Sequence, residues 1–120
     1  MLLIEETASR AAPKEGNPMP QFLVLAYDGT DAAVRARRAA ARPAHFAGIP
    51  PMVAKGEIVS AGAILDDAGN MVGSVVFTEF ASRADLDAWL RREPYVTEGV
   101  WQRIEVKPMR LAVRAGKITP

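Results

Sequence analysis

The sequence predicts an α+β domain of the ferredoxin-like kind, with the element order βαββαβ and an extra strand at the C-terminal end. Short apolar runs rich in branched and aromatic residues alternate with segments of helical composition in that order. The apolar runs are nearly continuous, so both faces of the sheet need cover, whereas this topology supplies helices on one face only. We therefore expect a second copy of the chain to pack on the open face and form a closed homodimer.

Composition limits the classes of function. The 120 residues are enough for one domain, and the 15 basic and 14 acidic side chains nearly cancel, which argues against a nucleic-acid partner. Cysteine is absent, which excludes disulfides, thiol catalysis and cysteine-ligated metals, and the single histidine excludes histidine-rich metal sites. A Mg²⁺ or Ca²⁺ site made of carboxylates alone stays possible, but no spacing of aspartate and glutamate suggests one. We therefore expect neither a metal nor a cofactor.

The chain carries no pattern that predicts contact with a membrane. Its longest apolar runs fall short of the roughly 20 residues that a membrane span needs. The N-terminus begins with a short apolar run followed by acidic residues, which is unlike a signal peptide. The expected location is the cytoplasm.

Three segments are distinguished along the chain. Residues 1–19 are rich in proline, small and charged residues and are predicted to be a flexible N-terminal extension, although Leu2, Leu3 and Ile4 could pack against the domain or form an exposed end. Residues 20–114 are predicted to form the domain, and 115–120 a tail.

The first half of the domain is predicted to contain one strand and one interrupted helix. The strand covers 21–27, and the helix covers 31–41 with Asp31 as its cap, because alanine and arginine dominate there. A break is expected near Arg42, because a residue that precedes a proline avoids the helical region. A second helical piece then begins at Pro43 and is kinked or broken at Pro50 and Pro51. Phe46, Ile49 and Val53 are predicted to share its apolar face, and Gly56 to end it.

The second half is predicted to contain a hairpin, a helix and two strands. A capping-box pattern beginning at Ser82 opens the helix, and Pro94 ends it. The predicted strands are 57–65, 71–80, 100–106 and an edge strand at 109–114, with a hairpin loop at 66–70.

His45 is the natural candidate for acid–base chemistry, since imidazole alone ionises near neutral pH without perturbation. The alternative is a structural histidine near a helix start. Glu93 precedes a proline, so its backbone is extended and its carboxylate could orient a histidine; the alternative is a solvated side chain.

The remaining candidates lie on the strands and the first helix. Ser74 is a mid-strand hydroxyl that needs a partner, and Gly73 beside it permits a close approach, although a bond to backbone would explain the serine equally well. Tyr27 and Asp28 end the first strand, where a ligand could bind or Asp28 could cap a turn. Tyr95 and Trp101 are expected in the core or an interface. The helix arginines are interpreted as a solvated surface, with an anion site as the alternative; they are Arg35, Arg37, Arg38 and Arg42.

These residues resemble the YciI-like (YCII-related) family. The segment 42–46 (RPAHF) resembles the family's RPAHL, and the other matching segments follow in the right order over about 20–114. They are Ala61-Gly62, 73–76 with Glu79-Phe80, 93–100 and 106–108.

The resemblance implies a ferredoxin-like subunit that pairs into a dimeric α+β barrel. It also implies a cleft built around a histidine and an aspartate, which correspond to His45 and Glu93 here, with Gly73 and Ser74 lining it and Arg42 beside the histidine. Two departures stand out: Glu93 replaces the family's aspartate, and Pro50 with Pro51 falls where the family continues a regular helix.

The resemblance suggests a small cofactor-independent enzyme of the lyase or isomerase kind, acting on a small aromatic or quinonoid molecule. His45 would move the proton and Glu93 would orient the imidazole. The substrate would be bound by Arg42, Ser74, Tyr27 and Gly73. One alternative is a non-catalytic dimeric ligand-binding or regulatory module, anchored by Arg42. A plain dimeric scaffold with a structural His45 is the other.

Overall fold

The computed structural model describes residues 2–6 and 19–119. A five-stranded sheet in the order β1-β5-β2-β4-β3 forms the centre of the fold; β1 runs parallel to β5 and the other neighbours are antiparallel. The strands are β1 (Leu3–Glu6), β2 (Gln21–Asp28), β3 (Ile58–Leu65), β4 (Met71–Glu79) and β5 (Trp101–Met109). The helices are α1 (Val34–Ala47), α2 (Ile49–Ala54), α3 (Arg83–Arg92) and α4 (Pro94–Thr97). The α+β, ferredoxin-like prediction is confirmed.

The core lies between the helices and one face of the sheet. Along β2, Phe22, Val24 and Ala26 are buried while their neighbours are partly exposed, because side chains alternate between the two faces of a strand. Residues from the other central strands and from α3 complete the core, among them Val76, Ile104, Val106, Leu86 and Leu90.

The opposite face of the sheet carries apolar side chains that no described helix covers. Leu23 pairs with Phe77 and Leu25 with Val75 across β2 and β4, and all four are only half-buried. This is the open face that the sequence predicted.

The interruption in the first helical region lies at Gly48, not near Arg42. Helix α1 continues through Pro43, which occupies its interior, and Gly48 separates α1 from α2. Pro50 and Pro51 occupy the first turn of α2, where a missing N–H costs little. The predicted kink or break is therefore a break, and the two prolines lie at the start of the new helix. The N-terminal cap of α1 is Ala33 rather than the predicted Asp31. The Asp31 carboxylate accepts hydrogen bonds from the Arg37 guanidinium instead.

The apolar face predicted for this region is wrong for two of its three residues, since only Ile49 packs against the core. Phe46 and Val53 are 49% and 53% exposed, and Met52 is the buried residue of α2. Gly48 separates two helices, so a spacing counted from Phe46 in α1 to Val53 in α2 does not place the two side chains on one face. Gly56 does end the region, with a φ of +77° that favours glycine.

The second half follows the prediction closely. Ser82 caps α3, with its hydroxyl accepting a hydrogen bond from the Asp85 N–H at 3.2 Å. The segment after Pro94 forms the single turn α4. A register shift between β2 and β5 pairs Asp28 with Trp101, and Trp101 joins the buried face although simple alternation would turn it outward.

Both ends of the chain add short strands. Leu3–Glu6, within the segment predicted to be a flexible extension, forms β1; residues 7–18 lie outside the described part of the chain. The predicted strand 109–114 is shortened to β6 (Val113–Arg114), which pairs with β7 (Lys117–Ile118) in a separate two-stranded sheet rather than at the edge of the main one. Strand β5 extends to Met109, beyond its predicted end at residue 106, so the first residue of the predicted edge strand belongs to β5.

Over residues 2–6 and 19–119, none of the helices is long and apolar enough to cross a membrane.

Candidate active site

A cavity of about 760 Å³ lies between α1 and α2 on one side and β3 and β4 on the other. Its mouth carries exposed apolar side chains, including Phe46, Val53 and Met71. Its polar and aromatic lining comes from distant parts of the sequence: Arg38, Arg42, His45, Ser74, Glu93, Tyr95 and Trp101.

His45 and Glu93 form a close pair at the wall of this cavity. The imidazole Nδ1 contacts Glu93 Oε1, and the side chains are 14% and 6% exposed. Glu93 Oε1 also accepts a hydrogen bond from the Tyr95 N–H at 3.2 Å. A carboxylate can only accept, so Nδ1 donates, and in the neutral form of the imidazole the lone pair then lies on Nε2. Within the part of the chain that the structure describes, Nε2 has no hydrogen-bond partner.

Local chain geometry explains why Glu93 is held so well. The residue ends α3 with extended backbone, ψ 125°, because Pro94 follows it. The same residue is the N-terminal cap of α4, and its carboxylate satisfies an amide of that turn. The carboxylate that binds His45 is therefore fixed by its own backbone.

Aromatic rings surround the imidazole. Tyr95 stacks on His45 with centroids 3.9 Å apart and planes 13° from parallel, and Trp101 meets it edge-on at 5.8 Å. Burial raises the pKa of Tyr95, so its hydroxyl stays protonated at neutral pH. The two rings pack against the imidazole and give the cavity flat apolar walls.

Arg38 is a buried arginine of α1 that lines the cavity and binds side chains of β2 and β4. Arg38 is 9% exposed; its Nη1 lies 2.8 and 2.7 Å from the two oxygens of Asp28, and its Nη2 lies 3.3 Å from Ser74 Oγ. Trp101 Nε1 donates to the same Ser74 oxygen at 3.2 Å. Burial raises the pKa of Asp28, although the bonds from Arg38 act in the opposite direction.

Arg38 is the functional candidate that sequence reasoning missed, because it was grouped with the solvated arginines of α1. A signal was present. Arg38 and Arg42 precede His45 by seven and three residues, so all three share one face of a helix. Asp28, considered as a turn cap, is the partner that permits this burial.

The predicted site residues divide into two groups. His45, Glu93, Arg42 and Ser74 meet at the cavity. Tyr27 lies on the opposite face of the sheet, where Arg103 covers its ring at 5.0 Å, because it neighbours the inward-facing Ala26.

Gly73 also lies outside the cavity lining. A Cβ at this position would come within 2.6 Å of the Ala26 carbonyl oxygen, so the glycine permits the close approach of β2 and β4.

Arg42 lies at the rim with its guanidinium 4.6 Å from the centroid of the Phe46 ring. Among the described residues it has no carboxylate partner. Across the same residues no group of three or more histidine, aspartate or glutamate side chains is placed to hold a metal ion.

Fold and site together define a class: a small α+β domain whose single histidine, paired with a buried carboxylate, faces an aromatic cavity of small-molecule size. Residues 20–110 match the sequence pattern of the YCII-related domain. The chain therefore belongs to the YCII-related family, as its sequence predicted.

Two curated relatives have the same degree of similarity. Protein YciI of Escherichia coli O6:H1 and Protein YciI of Shigella flexneri are each 32% identical over 95 residues, which cover 74% of this chain and 95% of each relative.

A solved structure shares the fold. It is the 5-chloro-2-hydroxyhydroquinone dehydrochlorinase TftG from Burkholderia phenoliruptrix AC1100, in complex with 2,5-dihydroxybenzoquinone. The two superpose with a TM-score of 0.64 at 23% sequence identity, covering 75% of this chain and 93% of TftG.

Proposed function

We propose that the chain is a cofactor-independent acid–base enzyme of the lyase or isomerase kind, acting on a small aromatic or quinonoid molecule. The observation that carries the proposal is the His45–Glu93 pair, which presents an unpartnered Nε2 in a cavity with aromatic walls. The structural neighbour TftG is a dehydrochlorinase of 5-chloro-2-hydroxyhydroquinone, which supports the same substrate class.

The proposed chemistry needs one proton-transfer group. His45 Nε2 takes a proton from the substrate, and Glu93 stabilises the imidazolium through Nδ1. The electron pair left behind either expels a leaving group from the neighbouring carbon or is reprotonated elsewhere on the molecule. The first course is an elimination and the second an isomerisation. Ser74 and Arg42 bind the substrate's oxygen atoms.

The test is turnover of 5-chloro-2-hydroxyhydroquinone by the parent chain, His45→Ala and Glu93→Gln. General acid–base catalysis contributes about 10²–10⁴-fold, so losses of that size are expected. Arg91→Ala, at an exposed position outside the cavity lining, is the control and should turn over normally. Unchanged rates in both site variants would contradict the proposal.

A second candidate function has one observation in its favour: Arg42, at the rim, has no carboxylate partner among the described residues. A binding or regulatory module would use it to anchor an anion. That function predicts saturable binding without turnover, weakened by Arg42→Ala and unaffected by His45→Ala. Isothermal titration with benzoate, a flat anion, separates the two functions.

We further propose that the open face of the sheet joins two copies of the chain. Its half-buried apolar pairs, Leu23 with Phe77 and Leu25 with Val75, form a contiguous strip that no described helix covers. Charged side chains of β5 border the strip on one side. This arrangement supports a homodimer joined through the strip.

A further inference from the structure

The Ser74 hydroxyl can form one further hydrogen bond, as a donor. Its oxygen lies 3.3 Å from Arg38 Nη2 and 3.2 Å from Trp101 Nε1. A guanidinium and an indole N–H can only donate, so both lone pairs of the serine oxygen are occupied. What remains is the hydroxyl proton.

That proton has no acceptor among the described residues. Thr78, four residues along the same strand, shows the contrasting case, because its hydroxyl donates to the Phe22 carbonyl at 2.9 Å. Ser74 is 6% exposed and forms part of the cavity wall. A buried donor without a partner carries an energetic cost, which a ligand can remove.

A second hydrogen-bond donor without a partner belongs to Arg38, which lines the cavity together with Ser74. Arg38 Nε is fully buried and has no hydrogen-bond partner within the described residues. Both oxygens of Asp28 are already bonded to Arg38 Nη1. The part of the cavity wall formed by Ser74 and Arg38 therefore offers hydrogen-bond donors, because Arg38 already occupies the Asp28 carboxylate and, at 3.5 Å, the Gly73 carbonyl.

We infer that Ser74 and Arg38 form a donor-only subsite for an acceptor oxygen of the ligand, a carbonyl or a deprotonated hydroxyl, and that Trp101 is a positioning residue that keeps the serine donating. This inference rests on the proposed function and specifies its substrate class.

The charges in this subsite favour a carbonyl oxygen. Arg38 is paired with Asp28, so the subsite is close to neutral and recognises its ligand by hydrogen bonding. His45 and Ser74 both contact Trp101. The oxygen bound here and the proton taken by His45 thus belong to one small molecule. Donors at that oxygen stabilise the negative charge that develops on it when the proton leaves. The substrate class is a planar ring compound that presents a carbonyl or a deprotonated hydroxyl oxygen to this subsite and carries an acidic proton conjugated to that oxygen.

The test compares one ring in two oxidation states. 2,5-Dihydroxybenzoquinone presents two carbonyl oxygens, and 1,2,4,5-tetrahydroxybenzene presents hydroxyl groups at the same positions. Their dissociation constants are measured anaerobically by titration calorimetry. The parent chain should prefer the quinone, and Ser74→Ala should reduce this preference about tenfold, which corresponds to about 1.4 kcal/mol. Thr78→Val removes a buried hydroxyl from the same strand outside the cavity and should keep the parent's preference.

Trp101→Phe tests the positioning role. Removal of the indole N–H frees one lone pair of the Ser74 oxygen, which can then accept a hydrogen bond from the quinol. The preference should fall because quinol binding is retained or improves while quinone binding weakens. A purely structural role would weaken both ligands equally.

A ligand-free measurement checks the hydrogen bond itself. In a ¹H–¹⁵N spectrum, Ser74→Ala should shift the indole resonance of Trp101 and leave that of Trp89 in place. An unshifted Trp101 resonance overturns the inference. So does a parent chain that binds both rings equally or neither, and so does an unchanged preference in Ser74→Ala. The proposed function fails separately, since a chain that prefers the quinone but never turns over keeps the subsite and loses the acid–base mechanism.

Discussion

Glu93 shows how one residue can connect a local rule of chain geometry to a site. The proline after it imposes extended backbone, the turn after it needs a cap, and His45 needs an acceptor; one carboxylate oxygen meets the last two needs. The resemblance places an aspartate at this position in the family. The extra methylene of glutamate does not break the pair with His45.

A pH-dependent stability follows from Asp31. Hydrogen bonds from the Arg37 guanidinium lower the pKa of Asp31 to about 2, compared with about 3.9 in an unfolded chain. The folded state therefore holds this proton more weakly. The stabilising contribution of Asp31 is present above about pH 4 and is lost as the pH falls towards 2.

Urea unfolding between pH 2 and 5 measures this contribution. Asp31→Asn should flatten the stability decline in that range relative to the parent. Since the pair is exposed, 1 M NaCl should reduce the difference between the two chains. Identical pH profiles for both chains at low salt would refute the assignment.

Two strand glycines differ in what a methyl group would meet. At Gly73 a Cβ comes within 2.6 Å of the Ala26 carbonyl oxygen, whereas at Gly62 no atom lies within 4 Å. Gly73→Ala should lower the free energy of unfolding by about 1–3 kcal/mol, because the strand backbones must separate. Gly62→Ala is the matched control and should be neutral or slightly stabilising. Chemical denaturation of both variants gives the comparison, and equal effects would contradict it.

At the scale of elements, the region from Val34 to Ala54 shows that the place of a proline in a helix matters more than its presence. Pro43 interrupts the hydrogen bonding inside α1, while Pro50 and Pro51 open α2. The face of α1 that carries Arg38 and His45 stays continuous through Pro43. The site depends on that continuity, because a break at Arg42 would separate the two residues.

Helix prolines at these positions should respond differently to substitution. Pro43→Ala restores an interior N–H and should raise the free energy of unfolding by up to about 3 kcal/mol. Pro50→Ala acts at a first turn and should change stability little. Thermal unfolding by circular dichroism measures both. A larger rise in the free energy of unfolding for Pro50→Ala than for Pro43→Ala would contradict the placement of Pro43 in the interior of α1.

At the scale of the whole molecule, the proposed dimer depends on the open face of the sheet. Phe77→Asp introduces a charge into the apolar strip and should convert the dimer into a monomer in sedimentation-velocity experiments. Ala84→Asp, at an exposed position in the first turn of α3, should leave the assembly unchanged. A parent chain that sediments as a monomer would contradict the proposal.

The sequence by itself determined the βαββαβ order of the central elements and the family, and it singled out His45 and Glu93 as a candidate pair. Local rules acted at short range there: branched residues in strands, a serine cap at α3, and extended backbone before Pro94. Only the tertiary structure decided that Pro43 is tolerated inside α1 and that a register shift turns Trp101 inward. It also decided that Arg38 is buried and that Tyr27 lies on the other face. The physical reason is that burial and partners depend on residues distant in the chain. Arg38 can be buried because Asp28 and Ser74 bind it, and no local sequence pattern shows that these residues meet in the fold.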